Sequence, residues 1–466
     1  MEENDQNQDS ENQELLEDLS KQGKTDELVE MFEELPTMDV AEFMEERSPE
    51  EIIRYLKKLD HEDQGRIFSD FSLDMQVKLF HALDRKSFAK IFGHMFSDIR
   101  ADLYQELTKE EQIELLPYLD KKVREDVIIL SAYPPDTAGG IMTTDFATIF
   151  ADMTAAEALA KIRSDAPSKD NIYYIYVVDH SMVLKGLVTL KDLVMHEPQD
   201  RVQEMLNEFF VHAEVNEDRE SVAQKIEKYD LVAIPVTNSL NQLVGIVSHE
   251  EAIDIIQREA TEDLEKLMGI IPSGDDEDYL TTSSFNHFKK RVVWLVSLAA
   301  IGIISGMIIN EYQGILESFI ILAMYMPMMA ATGGNTGSQA ATVVIRSLSL
   351  GEMTDDDWPK IIFKEAKISF MLSVCVAALT YLKIAFLSFH SLLPPGFTMS
   401  YIGIIISFAI AIQVITSAVI GASLPLIVRR LGGDPAVVAS PAITTIVDIT
   451  GLLIYFTVAS WTLGLA

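Results

Sequence analysis

Five long apolar runs in the second half of this chain decide what it can fold into. They lie at about 292–310, 315–345, 367–390, 401–428 and 441–464. A helix needs roughly 20 mainly apolar residues to cross a bilayer, and each run approaches or exceeds that length. The sequence therefore predicts a mainly α-helical membrane protein whose C-terminal domain has five transmembrane helices.

Basic residues flank alternate ends of these runs. They are Lys289, Lys290 and Arg291 before the first run, Arg346, Lys360, Lys364 and Lys367 between the second and third, and Arg429 and Arg430 between the fourth and fifth. The opposite loops, NEYQG and SFHSLLPPGFTMS, contain neither Lys nor Arg. Because Lys and Arg accumulate in cytoplasmic loops, we predict a multi-pass cell-membrane protein with its N-terminus and soluble domains in the cytoplasm and its C-terminus outside.

Charged residues are concentrated in the part of the chain that precedes the apolar runs. The formal net charge is -35, and the residues before Phe285 hold 63 acidic and 27 basic side chains. Such a surplus repels itself unless cations neutralise it, and it argues against nucleic acid as a partner; a solvated acidic surface is the plainer interpretation. The single cysteine, Cys375, leaves no internal disulfide and fits a reducing compartment.

The second run contains a polar, glycine-rich stretch, ATGGNTGSQAATVV, at 331–344. One interpretation is a break in the helix at Thr332–Gly337 beside an ion path, with backbone carbonyls and the Asn335 amide facing the ion's water shell. Irregular backbone at membrane depth is tolerated only where it lines a cavity or is buried in protein. The alternative is close helix packing through small residues, which the spacing of Gly333 and Gly337 also fits.

A carboxylate lies inside the fifth run, in ITTIVDITGLLIYF. Burying Asp448 at that depth costs roughly 2.5–3.5 kcal/mol on insertion scales, so it should face water, a partner or an ion. Thr444 and Gly451 fall on the same helix face, which predicts a narrow polar stripe along a cation path. A structural aspartate bonded to a neighbouring helix is the alternative. Asp434, in GGDPAVV, is either a helix cap or a residue at the cytoplasmic mouth of a pore.

A twelve-residue repeat organises the soluble half over residues 48–120. Its apolar members are Leu59, Phe71, Leu83, Met95, Leu107 and Leu119. An Asp, Ser or Thr follows each of them, directly in five cases and one residue later after Met95. Because these are helix-start residues, the repeat predicts short helices stacked in a superhelix.

Two later segments share one layout, YYIYVVDHSMVLKGLVTLKDLV and DLVAIPVTNSLNQLVGIVSHEEAIDII. Each predicts a strand, a turn, a second strand and a helix opened by an acidic residue. Aligned on Gly186 and Gly245, they resemble a tandem CBS module. That resemblance implies an adenine nucleotide such as ATP, held through Thr189, Asp192, Ser248 and Glu251. An empty, structural CBS pair is the alternative, because Glu251 replaces the usual aspartate.

The helix that follows is crowded with acidic residues, namely Glu251, Asp254, Glu259, Glu262 and Asp263. Like charges three and four residues apart destabilise a helix, and carboxylate oxygens suit hard divalent ions. The cluster therefore predicts a divalent-cation site, with a solvated linker as the alternative.

Taken together, these features resemble the MgtE family of magnesium transporters. The resemblance rests on DTAGGIMTTDF, EATEDL, RVVWLV, PMMAATGGNTGSQAATVVIRSL and DPAVVASPAITTIVDITGLLIYF, and it covers the chain after about the first dozen residues. It implies a homodimer with a magnesium-selective pore on the two-fold axis, a connecting helix that plugs the pore, and closure when magnesium binds between the cytoplasmic domains. The implied pore residues are Asp448 and Asp434, to which the residue patterns add Asn335 and Thr444. The implied sensing carboxylates are Asp98, Asp102, Asp230, Glu251, Asp254, Glu259, Glu262 and Asp263.

The expected domains follow the same division. They are a disordered N-terminus (1–12), a superhelical domain (13–132), two CBS domains (133–198 and 199–256), a connecting plug helix and linker (257–284) and the transmembrane domain (285–466). The resemblance implies a magnesium channel or transporter. An enzyme is not expected, because the sequence has no Walker-type loop, no phosphate-accepting aspartate motif and no His/Cys metal constellation. The alternatives are a CBS-regulated transporter of another ion or solute, and a membrane-anchored nucleotide sensor.

Overall fold

The structure, a computed structural model, describes residues 15–165, 171–208, 210–272, 279–280, 282–388, 393–438 and 440–464. The predicted disordered segment 1–12 lies outside the described residues. The chain forms two compact units, Met1–Arg258 and Glu259–Ala466. Each unit is built around its own apolar clusters.

Short helices fill the first part of unit one, as the repeat predicts. They are α1 (Thr25–Phe32), α2 (Thr37–Glu45), α3 (Pro49–Leu56), α4 (His61–Ser69), α5 (Leu73–Ala82), α6 (Arg85–Phe92), α7 (Ser97–Glu106), α8 (Lys109–Leu115) and α9 (Lys121–Leu130). The apolar member of each twelve-residue repeat is buried, from Leu59 to Leu119. Asp60 and Asp84 accept backbone hydrogen bonds at the starts of α4 and α6, so the repeat alternates a helix cap with a core residue.

The two later segments fold alike. Within the described residues, β1 (Phe146–Phe150), β2 (Asn171–Val178) and β3 (Leu184–Thr189) form one sheet, and β4 (Ala213–Glu214), β5 (Ala233–Thr237) and β6 (Leu243–Ser248) form another. In each sheet the first two strands are parallel and the last two antiparallel. The helices of this part are α10 (Ala155–Asp165), α11 (Leu190–Met195) and α12 (Arg219–Lys228). The predicted strand–turn–strand–helix pattern is thus present in both copies.

One helix, α13 (His249–Leu267), begins after β6, and its residues from Glu259 onward belong to unit two. The remaining helices are α14 (Ser284–Glu311), α15 (Gln313–Ser318), α16 (Ile320–Ser349), α17 (Trp358–Leu387), α18 (Met399–Arg430) and α19 (Ser440–Leu463). Among the described residues, α14, α17, α18 and α19 are long and apolar enough to cross a membrane. The expectation of five such runs therefore holds for four; α16 is long enough, but its Thr, Gly, Asn and Gln residues lower its hydropathy.

The predicted break at Thr332–Gly337 is wrong, because α16 runs unbroken through it. The second run is interrupted earlier, at Phe319, whose φ and ψ of -130° and 71° separate α15 from α16. The threonine hydroxyls are satisfied within the helix: Thr332 Oγ1 donates to the Met328 carbonyl at 2.7 Å, and Thr336 Oγ1 to the Thr332 carbonyl at 2.8 Å. With these backbone groups satisfied, breaking the helix in an apolar environment would only cost free energy.

The glycines of α16 serve helix packing instead. A Cβ on Gly333 would lie 3.0 Å from the Val447 side chain, and one on Gly337 3.1 Å from the same residue of α19. A Cβ on Gly421 of α18 would lie 2.1 Å from the Gly337 carbonyl oxygen. Helices α16 and α18 therefore meet almost backbone to backbone, and the Val447 side chain of α19 packs directly on the α16 glycines, as small residues allow in membrane proteins.

Candidate ion path and cation-sensing sites

The polar stripe predicted around Asp448 exists on α19 and continues onto α16. Ser440 Oγ lies 2.8 Å from Ser338 Oγ of α16, and Thr444 Oγ1 lies 3.5 Å from the same hydroxyl. One turn further along α19, Asp448 Oδ1 is buried and accepts no hydrogen bond from any described residue. Leaving a buried carboxylate oxygen without a hydrogen bond is costly. A cation, or a water of its hydration shell, bound at Asp448 Oδ1 would relieve that cost.

Asn335 lies on a different face of α16 from the packing glycines. Gly333, Gly334 and Gly337 are buried, whereas Asn335 and Gln339, one helical turn apart, are exposed in the single chain. The prediction that carbonyls of this stretch are free to face an ion is wrong, because α16 is continuous. The Asn335 amide itself stays a candidate for the ion path.

The last turns of α13 contact the membrane helices within unit two. Leu267 is buried with Ala341, Ile443 and Val447, and Asp263 Oδ2 accepts a hydrogen bond from Ser349 Oγ at 3.2 Å. Burial raises the pKa of the Asp263 carboxyl. The acidic helix end is therefore packed rather than freely solvated.

Asp434 has two roles in this contact. Its Oδ1 accepts the Ala436 backbone N–H at 2.8 Å, which is the predicted helix cap. Its Oδ2 lies 2.6 Å from Lys266 Nζ of α13, and Glu262 Oε1 lies at the same distance from that ammonium group. Burial opposes the charge on Lys266, but the hydrogen bonds to Asp434 and Glu262 outweigh it and raise the pKa of the amine. Sequence reasoning missed Lys266, because nothing local connects it to a residue 168 positions away.

In unit one, four predicted sensing carboxylates line one cavity of about 610 Å³. They are Asp98, Asp230, Glu251 and Asp254, and the cavity adds Asp145 and Glu250, which sequence reasoning missed. Asp145 is the last acidic residue of the motif DTAGGIMTTDF, so the residue was noticed but was not assigned a role. Among the described residues, no three His, Cys, Asp or Glu side chains are arranged to hold a metal ion. The cavity is thus acidic without being a preformed metal site.

Glu251 is one of the carboxyls of this cavity whose pKa is raised. Its side chain is 18% exposed. Burial, followed by repulsion from Asp98, raises its pKa to about 7, and Asp102 and Asp254 add to the effect. Burial also raises the pKa of Asp98. Arg258 lies 4.0 Å from Glu251 Oε1 and offsets only part of this, so a bound cation would relieve the repulsion.

The residues predicted to hold a nucleotide lie at helix starts, where they form capping hydrogen bonds. Thr189 Oγ1 donates to Asp192 Oδ2 at 2.6 Å, and the Asp192 N–H donates back to Thr189 Oγ1 at 3.1 Å, which forms a capping box at the start of α11. Ser248 Oγ accepts the Glu251 N–H at 3.2 Å. Only the second pair lines the acidic cavity, where the carboxylates would repel phosphate.

We expect the free energy of unfolding of the soluble part to depend on pH through the protonation of Glu251. Because its folded pKa of about 7 exceeds the ordinary 4.5, its contribution to stability is complete below pH 4.5 and is lost as the pH rises through 7. Purified full-length protein without magnesium should therefore be digested faster by protease at pH 8 than at pH 5.5, and millimolar Mg²⁺ should slow digestion most at pH 8.

Glu251→Gln should flatten this pH dependence, whereas Glu227→Gln, at an exposed position of α12, should keep it. Equal pH dependence in Glu251→Gln and the wild type would refute the assignment.

Comparison with known proteins agrees with these features. The profile of the divalent cation transporter family MgtE matches residues 326–458, that of the MgtE intracellular N domain matches 35–136, and that of the CBS domain matches 138–198. The matches define the class as a divalent cation transporter that also has an intracellular N domain and a CBS domain.

Individual relatives narrow this class. The chain is 36% identical to the magnesium transporter MgtE of Thermus thermophilus over 342 residues, 73% of each chain. It is 36% identical to MgtE of Bacillus subtilis over 334 residues, 72% of this chain and 71% of the relative. A crystal structure of the soluble part of a magnesium transporter superposes with a TM-score of 0.51 at 29% identity, covering 54% of this chain and 99% of that one. The chain therefore belongs to the MgtE family of magnesium transporters, which is not a family of enzymes.

Proposed function

We propose that this chain forms a homodimeric, magnesium-selective channel or transporter of the cell membrane, in which Asp448 binds the ion. The observation that carries the proposal is the buried, unpaired Asp448 Oδ1 at the end of the Ser338–Thr444 polar stripe. Among the described residues no base pairs with it, and an anion would be repelled. Magnesium gives up its waters reluctantly, so hydroxyls and a carboxylate could hold it through its hydration shell.

The exposed face of α16 supports the homodimer. Asn335 and Gln339 are exposed in the single chain, and amide side chains facing hydrocarbon are costly. A second copy that packs against this face would place both amides beside a shared, hydrated path. In this arrangement Asn335 orients waters of the ion without adding a second carboxylate.

The arrangement of basic residues supports the proposed orientation. Lys290 precedes the main apolar part of α14, Arg346 lies near the end of α16, and Lys360 begins α17. Arg429 and Arg430 end α18. With the soluble unit in the cytoplasm these residues all fall on the cytoplasmic side, and α19 carries the C-terminus outside.

Reconstitution tests the transported species. Proteoliposomes with purified protein should take up Mg²⁺ down its gradient at a rate at least several-fold above empty vesicles, while chloride efflux stays at the empty-vesicle rate. Chloride or organic-anion flux without Mg²⁺ uptake would favour the alternative, a CBS-regulated transporter of another solute. Absence of any flux in protein that is folded would favour a sensor that does not transport.

Gating would use the acidic residues of both units. Cytosolic magnesium would bind carboxylates of the cavity, including Asp98, Asp230, Glu251 and Asp254, with Asp102 nearby. Glu259, Glu262 and Asp263 are further acidic residues of α13 and belong to unit two. A ligand closes a pore only by binding the closed state more tightly, and relief of the repulsion at Glu251 supplies that preference.

We expect Lys266→Gln to weaken closure. Lys266 binds Asp434 and Glu262 at 2.6 Å, and replacing it would leave Asp434 without this counter-charge and loosen the end of α13. With magnesium varied on the cytoplasmic side of proteoliposomes, the concentration that halves uptake should rise several-fold.

Lys360→Gln is the matched control, because Lys360 forms an exposed ion pair with Asp357 at 2.8 Å in the same unit. Wild-type inhibition in Lys266→Gln would exclude the ion pair from gating.

We also propose an ATP site in the CBS domains. If ATP binds, Ser248 and Glu251 offer the better pair, because the Thr189–Asp192 pair is already satisfied within its capping box. Bound magnesium would first have to neutralise the cavity. ATP binding measured by calorimetry should therefore be weak without Mg²⁺ and strengthen when Mg²⁺ is present.

A further inference from the structure

A glutamine is buried in the middle of the helix bundle. Gln413 of α18 is fully buried, and its Nε2 donates a hydrogen bond to the Val447 carbonyl of α19 at 2.9 Å. Its Oε1 accepts no hydrogen bond from any described residue. A polar side chain at this depth needs a reason, because half of its amide is left unsatisfied.

The neighbouring helices are shaped around this amide. A Cβ built on Gly333 of α16 would lie 2.6 Å from Gln413 Nε2, and one on Gly451 of α19 would lie 2.4 Å from the same atom. Both helices therefore lack a side chain where the amide lies. The Gln413 amide therefore fills a space between three helices that the two glycines leave open for it.

A contribution to the stability of the fold does not by itself account for a buried glutamine at this position. Burying an amide whose oxygen accepts no hydrogen bond is unfavourable. A single hydrogen bond between membrane helices offsets only part of that cost. An apolar side chain of similar length would be expected to fill this space at lower cost.

The bond fixes the turn of α19 that carries Asp448. Val447 immediately precedes Asp448, and its carbonyl is held by Gln413 while its side chain packs against Gly333 and Gly337. Thr450 Oγ1 also donates to this carbonyl, at 3.1 Å. The turn is thus held at both its backbone and its side chain.

We propose that Gln413 is a positioning residue of the ion path, which sets the rotation of α19 so that the Asp448 carboxylate faces the permeating cation. The inference rests on the proposed role of Asp448. Gln413 does not contact the ion; it acts through the Val447 carbonyl.

Gln413→Met tests the proposal, because it keeps the length of the side chain and removes the donor. The Mg²⁺ concentration for half-maximal uptake into proteoliposomes should rise at least threefold, and discrimination of Mg²⁺ against Ca²⁺ should fall. The thermal midpoint in detergent should stay equal to that of the wild type or rise. A purely structural role would instead lower the midpoint and leave the half-maximal concentration unchanged.

Two further variants keep the test decisive. Gly451→Ala displaces the amide while Gln413 remains, and the atoms its Cβ meets belong to the flexible side chains of Gln413 and Met329; it should shift the half-maximal concentration in the same direction. Ser407→Ala removes a different buried polar group of α18, a hydroxyl that is unpaired among the described residues. This variant should behave as the wild type.

The outcomes separate the two proposals. Normal uptake by Asp448→Asn would overturn the proposed function itself. Loss of uptake in Asp448→Asn, together with wild-type concentration dependence and selectivity in Gln413→Met and Gly451→Ala, would overturn only the role of Gln413.

Discussion

Asp448→Ala is expected to reduce Mg²⁺ uptake into proteoliposomes to the level of empty vesicles. The variant removes the carboxylate at the end of the polar stripe, and Ser338 and Thr444 offer only hydroxyls. Asp448→Asn should fail as well, since an amide keeps the shape but not the charge that attracts a divalent cation. Uptake would be measured with a magnesium-sensitive dye at equal amounts of monodisperse protein.

The same substitution should not harm the fold. Asp448 Oδ1 is buried and unpaired among the described residues, so removing it relieves a desolvation cost instead of breaking a hydrogen bond. The thermal midpoint of Asp448→Ala in detergent should equal or exceed that of the wild type. Loss of uptake with a lowered midpoint would instead identify Asp448 as a structural aspartate, the alternative left open by the sequence.

Gly421→Ala, in contrast to Asp448→Ala, is expected to cause a large loss of folded protein. The added Cβ would lie 2.1 Å from the Gly337 carbonyl oxygen and 2.9 Å from the Gly337 Cα. These are backbone atoms, so relief requires α16 and α18 to separate, at a cost of about 1–3 kcal/mol or more. The thermal midpoint and the fraction of monodisperse protein should both fall.

Gly302→Ala of α14 is the matched control, because its Cβ would meet nothing within 4 Å. Alanine favours a helix over glycine by about 1 kcal/mol, so this variant should be neutral or slightly stabilising. Equal behaviour of the two variants would mean that α16 and α18 are not packed as closely as the structure shows.

The sequence predicted elements well where one local signal had one physical meaning. Leu59 and Leu119 belong to a repeat in which a core residue precedes a helix start, and no other arrangement satisfies both. The two strand pairs were likewise set by their matching turns. Asp448 was singled out because a carboxylate in an apolar run has few structural uses, and its role at the ion path stays a prediction.

Prediction from the sequence failed where the same residues suit two different structures. Glycines at 333, 334 and 337 suit both a broken helix and a closely packed one, and only the neighbouring Gly421 and Val447 decide between them. Lys266 was missed because its partner Asp434 is distant in the chain. Gln413 was missed because a single glutamine in an apolar helix carries no pattern.

The glycine contacts also bear on how such a bundle can move. Where two backbones touch at Gly337 and Gly421, the helices have no layer of side chains to deform, so small sliding or tilting between them meets immediate resistance. With α19 seated against Gly333 and Gly337, the three helices should behave as a single rigid body. In the proposed gating, opening then has to occur at the edges of this body, at the end of α13 and along the exposed face of α16, and cross-links placed inside the body should leave Mg²⁺ uptake intact.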